Sequence, residues 1–242
     1  MPGKGLILAG TAEARRVCAG VSGYDVLASL AGRTERPLPL AVPVRTGGFG
    51  GDAGFQAALR QMAAVLDATH PFATVMSGRA ARICAETGVP YLRLTRPPWP
   101  TEADWTHHAT AQACAAALPR GARVFLSIGP GGLAPFLGRD LLIWCRRIDP
   151  APDRPGVTWV VGPPGLEMSQ EAASFRTLGI THLVTKNAGG ARAKLDAARA
   201  LGLAVHVIDR PPPPPGDATH DIDRAIAFVR AHASPLPDHR DG

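Results

Sequence analysis

This chain of 242 residues lacks any apolar stretch long enough to cross a bilayer. Its first apolar run stops at Gly10 and is followed at once by Glu13, Arg15 and Arg16, so neither a membrane span nor a secretory leader fits, and a cytoplasmic location is expected. Paired cysteines are missing too. Cys18, Cys84, Cys114 and Cys145 are far apart, show no C-x-x-C spacing and read as reduced core residues. Lysine occurs only at positions 4, 186 and 194, no basic run exceeds two residues, and no basic helix is interleaved with aromatics. Nucleic acid is therefore not an expected partner, although the net charge is +6. Familiar catalytic signatures are also absent. Tyr24 and Tyr91, the only tyrosines, are followed four residues later by Ala28 and Thr95 instead of lysine, which excludes short-chain dehydrogenase chemistry. There is no G-x-S-x-G elbow and no H-E-x-x-H helix, and His107-His108 reads as an isolated strand end, so no metal is expected.

What the chain has is a regular alternation of short apolar runs and amphipathic segments, with 45% apolar residues to fill a core. Strands are expected at Gly5–Ala9, Asp25–Leu30, Ala41–Val44, Ala64–Asp67 and Tyr91–Leu94, with helices at Ala12–Gly20, Gly54–Met62 and Thr74–Thr87 between them. A second series follows, with strands near Arg123–Ser127, Leu141–Arg146, Val157–Val161, His182–Thr185 and Ala204–Ile208. Its helices fall near Leu133–Leu137, Ser169–Leu178 and Ala191–Leu201. Such alternation specifies an α/β fold with largely parallel sheets. The Pro-rich segment Arg96-Pro97-Pro98-Trp99-Pro100 interrupts it, with Trp105–His108 a further strand and Ala109–Leu118 a further helix. The expected organisation is a domain over residues 1–110, a smaller α/β domain over 111–234 and a disordered tail over 235–242. Pro211 to Pro215 is a stiff spacer before a last helix capped by Asp217 or Thr219.

Four polar or glycine-rich segments each follow an apolar run: Gly10-Thr11-Ala12-Glu13-Ala14-Arg15, Gly47-Gly48-Phe49-Gly50-Gly51, Asp67-Ala68-Thr69-His70-Pro71-Phe72-Ala73 and Thr185-Lys186-Asn187-Ala188-Gly189-Gly190. In open parallel sheets ligands bind at the carboxyl ends of strands, where helix N-termini aim N–H groups at anions. Gly10-Thr11 lacks the G-x-G-x-x-G spacing, yet its place after the first strand suits a phosphate, with Thr11 free either to cap the helix or to donate its hydroxyl. After the second strand, Ser29-Leu30-Ala31-Gly32-Arg33-Thr34 has no Asp or Glu for ribose hydroxyls and offers Arg33 instead, which suits the 2′-phosphate of NADP. The surplus of arginine fits a ligand rich in anions, but a codon bias toward GC is the stronger reading of it.

These segments, taken in order with Gly32-Arg33-Thr34, Arg45, Leu92-Arg93-Leu94-Thr95-Arg96-Pro97, Trp99, Val124-Phe125-Leu126-Ser127-Ile128-Gly129 and Lys194, resemble the precorrin-6A reductase family across roughly residues 5 to 210. The resemblance implies two Rossmann-like lobes with a cleft between them, NADPH as cofactor, and reduction of one macrocycle double bond in cobalamin biosynthesis, turning precorrin-6A into precorrin-6B. Neighbouring enzymes of the pathway are the protein partners it implies. Arginines and helix N-termini would complement the many carboxylates of such a substrate. A noncatalytic NADPH- or tetrapyrrole-binding module, and a cobalt-precorrin substrate, remain alternatives.

Roles follow from the same resemblance. Gly10, Thr11 and Arg15 are expected around the pyrophosphate, Arg33 and Thr34 at the 2′-phosphate, and Arg45, Gly47 and Gly48 along the cofactor. Asp67 and Thr69 are expected near the nicotinamide or the reacting ring. His70 and Lys186 are the candidate acids, and Lys186, Asn187, Gly189 and Gly190 are expected on the substrate with His70. Two positions depart from the family: Ala188 stands where serine is usual, and Pro130 follows Ile128-Gly129 where a polar or basic residue is common.

Overall fold

The computed structural model describes residues 3–32, 34–35, 37–163 and 166–237. Arg33 lies outside the described residues, as do 238–242 of the expected tail. In chain order the first elements are β1 (Lys4–Leu8), α1 (Ala12–Gly20), β2 (Val26–Leu30), β3 (Val44–Thr46), α2 (Gly51–Leu59), β4 (Met62–Asp67), α3 (Thr74–Thr87) and β5 (Tyr91–Leu94). Next come β6 (Trp105–His108), α4 (Ala111–Ala117), β7 (Ala122–Ser127), β8 (Leu141–Arg147), β9 (Val157–Val161), α5 (Met168–Thr177), β10 (His182–Lys186), α6 (Ala193–Ala200) and β11 (Ala204–Ile208). The chain closes with β12 (Asp217–Thr219) and α7 (Ile222–His232).

Two six-stranded sheets result, ordered β12-β5-β4-β1-β2-β3 and β6-β11-β10-β7-β8-β9. Every strand pairing within them is parallel. Central strands of such sheets are covered on both faces, which is why β1 carries Leu6, Ile7 and Leu8 in succession, all fully buried. Burying each of these is worth about 1.5–3 kcal/mol. In the first sheet the chain starts at the middle, fills one side and then the other; in the second it lays down the edge strand β6 first and then repeats that pattern from β7, so that the strand order reverses between β1 and β4 and between β7 and β10.

The chain forms two compact units, one of residues up to Arg96 together with those from Pro212 onward, the other Pro97–Pro211. These limits differ from the expected 1–110 and 111–234. Trp105–His108 pairs with β11 and so joins the second sheet, whereas Asp217–Thr219, expected to cap a helix, pairs with Leu92–Leu94 of β5. The cap of α7 is instead Asp221, whose Oδ1 accepts the N–H groups of Asp223 and Arg224. α7 then packs on α1, with Gly20 so close to Ile226 that a Cβ there would stand 2.6 Å from its Cδ1. At the carboxyl end, Pro235 bridges to Tyr24 and Leu236 donates to the Gly23 carbonyl, so the expected disordered tail does not begin at 235.

Three local expectations shift for steric reasons. β3 begins at Val44 because Pro43 has no N–H to give; its carbonyl accepts from Ala28, and the ladder proper follows. α2 starts three residues early, on Gly50 with φ 74°, and Gly54 sits where a methyl group would run into the Phe49 carbonyl. Around Pro135 the chain makes two 3₁₀ turns, Pro130–Gly132 and Ala134–Phe136, in place of one helix.

Candidate functional site

In the first unit the loops at the carboxyl ends of β1 to β4 carry most of the expected residues. Gly10 has φ 130°, and no atom lies within 4 Å of where its Cβ would be, so the backbone there is open to a ligand. Thr11 spends its hydroxyl internally: Oγ1 accepts the Ala14 N–H at 3.1 Å and donates to the Ala68 carbonyl at 2.8 Å. It thereby caps α1 and ties that turn to the end of β4. Arg15 is exposed on the first turns of α1. Glu13, which the sequence reading did not single out, lies 3.6 Å from Arg96 Nε and so brings a paired carboxylate to the same helix start.

At the ends of β2 and β3 one guanidinium organises the loop. Arg45 Nη1 donates to Ser29 Oγ at 2.7 Å and to the Gly47 carbonyl at 3.1 Å, and Nη2 donates to the Gly48 carbonyl at 2.8 Å. It also lies 4.0 Å over the Phe49 ring, which packs edge-on against Phe55. Arg45 thus holds Gly47 and Gly48 in place. Gly47 needs that conformation, φ 105°, with open space beside it. Thr34 is half-buried, and a Cβ on Gly32, two residues before it, would stand 3.7 Å from the Gly47 nitrogen.

The end of β4 is built around a buried carboxylate. Asp67 is fully buried; Oδ2 accepts from Arg93 Nη1 at 2.6 Å and from the Tyr91 hydroxyl at 2.9 Å. Oδ1 accepts from the Thr69 N–H at 3.0 Å and the Thr69 hydroxyl at 2.7 Å. The carboxylate therefore shapes the Thr69-His70 loop from behind, and its four bonds turn it away from the direct ligand contact expected of it. Burial, then the nearby Asp67 charge, pushes the Tyr91 phenol far above its usual range, so it stays a hydrogen-bond donor. His70 Nδ1 accepts the Phe72 N–H at 3.2 Å, which leaves the hydrogen of a neutral ring on Nε2. A cavity of about 190 Å³ opens beside this loop, lined by Pro71, Thr74, Gly78, Arg93 and the prolines at 212, 214 and 215. Tyr91 and Arg93 had a sequence signal: a charge inside the apolar strand Tyr91-Leu92-Arg93-Leu94 needs a buried partner.

In the second unit, Lys186 ends β10 and is half-buried, and Gly189 and Gly190 follow with φ 70° and 82°. Asn187, expected on a substrate, is buried and committed elsewhere: Oδ1 accepts the Trp99 N–H at 2.9 Å and Nδ2 donates to the Trp99 carbonyl at 3.3 Å. Trp99 Nε1 donates to the Gly190 carbonyl at 2.9 Å, and Lys194 Nζ stands 5.1 Å from its ring. The Pro-rich segment is thus locked onto the β10 loop. Gly129 turns with φ 73° ahead of Pro130, so backbone rather than a polar side chain is presented there. The His107-His108 pair is not isolated: His107 Nδ1 lies 2.6 Å from Asp209, and His108 Nε2 lies 2.9 Å from His206 Nδ1.

A family model described as precorrin-6x reductase CbiJ/CobK matches residues 5–230. The precorrin-6A reductase of Rhodobacter capsulatus is 38% identical over 242 residues, covering 95% of this chain and 96% of its own. That of Mycobacterium tuberculosis is 42% identical over 238 residues, covering 93% and 96%. A solved structure described as CobK precorrin-6A reductase is similar with a TM-score of 0.89 at 39% identity, over 96% of this chain and 98% of that one.

Proposed function

The chain belongs to the precorrin-6x reductase family, and from that premise we propose that it reduces precorrin-6A to precorrin-6B with NADPH. The observation that carries the cofactor side is the open Gly10 backbone at the start of α1, placed where the strand order of the first sheet reverses. The residues fit a phosphorylated dinucleotide: Ser29 to Gly32 include no carboxylate, and the Arg45 guanidinium borders Ser29. When bound, that cofactor supplies the hydride.

The chain's own work is to hold and orient. Gly10 and the first turn of α1 take the pyrophosphate, Arg33 and Thr34 take the 2′-phosphate, and Gly47 and Gly48 keep the adjoining surface close and flat, braced by Arg45. Asp67, through Thr69, sets the loop that presents His70. With Nδ1 occupied by Phe72, an imidazolium would have to give up that bond, so His70 serves as a neutral donor through Nε2, orienting the ring being reduced. In the second unit Lys186 offers an ammonium to a substrate carboxylate, and Gly189 and Gly190 let backbone approach it. Asn187 acts through Trp99.

Rapid mixing of protein, NADPH and precorrin-6A tests the function. Nicotinamide absorbance should fall only when precorrin-6A is present, and binding without that loss would leave a noncatalytic module. Arg33→Glu should weaken NADPH by roughly 10–100-fold and leave NADH nearly unchanged, the value of one charge-assisted contact. Equal loss with both coenzymes would remove Arg33 from the 2′-phosphate. His70→Gln should keep turnover within about tenfold of wild type with the same pH profile, whereas a general acid would cost roughly 10²–10⁴-fold.

A further inference from the structure

A second constellation lies wholly inside the second unit. β6 and β11 run side by side at one edge of its sheet, with Ile208 opposite His108 and Thr106 opposite His206. Alternation along the strands sends Trp105, Val205 and Val207 to the apolar core on one face, and His108 and His206 to the other. There the two imidazoles stack, with ring centres 5.2 Å apart and planes 13° from parallel. Helix α4 packs on both strands and buries Cys114 and Ala115. One ligand atom each from His108, Cys114 and His206 lies within 4.8 Å of the others, and all three side chains are buried.

We propose that His108, Cys114 and His206 bind a soft d¹⁰ metal cation, copper(I) in preference to zinc(II). Two imidazoles and a thiol, with no carboxylate among them, are donors for thiophilic metals and unsuited to Mg²⁺ or Ca²⁺. Two donors on one ion stand at most about 4.4 Å apart, given metal–nitrogen and metal–sulfur bonds of about 2.1 and 2.3 Å. A small side-chain rotation closes that gap. Charge selects between the ions. One thiolate neutralises a monovalent cation, whereas a divalent one leaves a net charge in a buried site and calls for a fourth ligand.

Proton bookkeeping is consistent with this. His108 Nε2 and His206 Nδ1 stand 2.9 Å apart, so one of the two nitrogens carries the hydrogen between them and the other accepts it. The Cys114 thiol gives up its proton when it becomes a ligand. The hydrogen between the two rings passes to the outer nitrogen of the ring that carries it, and both inner nitrogens then face the ion. One proton, that of Cys114, is released per ion bound. His182, half-buried, has its ring centre 5.6 Å from that of His206.

The test is an anaerobic titration of the reduced full chain with Cu⁺ against a competing chelator, and separately with Zn²⁺. One equivalent of Cu⁺ should bind with an ultraviolet thiolate-to-copper band and release of one proton, and Zn²⁺ should bind at least about tenfold more weakly. Cys114→Ala should lose affinity on the order of a hundredfold, together with the band, while its circular dichroism stays that of a folded protein. His206→Gln should lose binding to a similar extent, and Cys84→Ala should retain it. Absence of stoichiometric binding by the wild type, or unaltered binding by Cys114→Ala, overturns the site. Tighter Zn²⁺ than Cu⁺ overturns the choice of ion.

Discussion

Replacing Asp67 with alanine is expected to lower the unfolding free energy of the first unit by about 3–5 kcal/mol, a large part of the roughly 5–15 kcal/mol that holds a typical domain together. The cause is what remains behind. Arg93 keeps a guanidinium that is only 5% exposed, and its carboxylate partner at 2.6 Å is gone. The Tyr91 hydroxyl and both Thr69 donors lose their acceptor at the same moment. The double variant Asp67→Leu with Arg93→Leu should recover most of the loss, because removing both charges removes the penalty of burying one alone. Urea unfolding followed by far-ultraviolet circular dichroism measures both variants. A loss under about 1 kcal/mol for Asp67→Ala would mean that water reaches Arg93 and that the pair is not the anchor of the His70 loop.

The second large effect belongs to the other unit. Arg146 on β8 donates to Glu171 on α5 through two parallel bonds, Nη1 to Oε1 at 2.5 Å and Nη2 to Oε2 at 2.8 Å, with both side chains buried. The guanidinium also lies 4.9 Å from the Phe125 ring. Glu171→Ala strands that cation in the core, and the second unit should lose about 3–5 kcal/mol. Tryptophan fluorescence is the right probe, since all four tryptophans, Trp99, Trp105, Trp144 and Trp159, fall within Pro97–Pro211. An Arg146→Met, Glu171→Leu pair should unfold close to wild type. If Glu171→Ala unfolds there as well, the bidentate pair contributes little and α5 is held by Ala172 and Phe175 alone.

Much of the scaffold could be read from local pattern. α1 and α3 begin and end where their apolar spacing places them, and Thr11 caps α1 because its hydroxyl stands three residues before the N–H it accepts. β5, β6, β9 and β11 likewise match their expected ranges to the residue; β5 and β11 announce themselves as apolar runs because they are largely buried, whereas β6 and β9 are the edges of the second sheet and are partly open to solvent. The family resemblance rested on the same short segments. Each of these signals is carried by residues a few positions apart.

Partnership across the chain left no such mark. Which sheet takes β6 and which takes β12 depends on pairing with strands about a hundred residues away, and neither short segment carries information about its neighbour. The same holds for the site. Arg45, Asp67 and Asn187 read as ligand contacts because polar groups at strand ends usually are, yet each is consumed by an internal partner: Ser29 and the glycine loop, Arg93 at 26 residues' separation, and Trp99 at 88. A buried polar group must satisfy its hydrogen bonds wherever folding brings a partner, and that choice is made by packing in three dimensions.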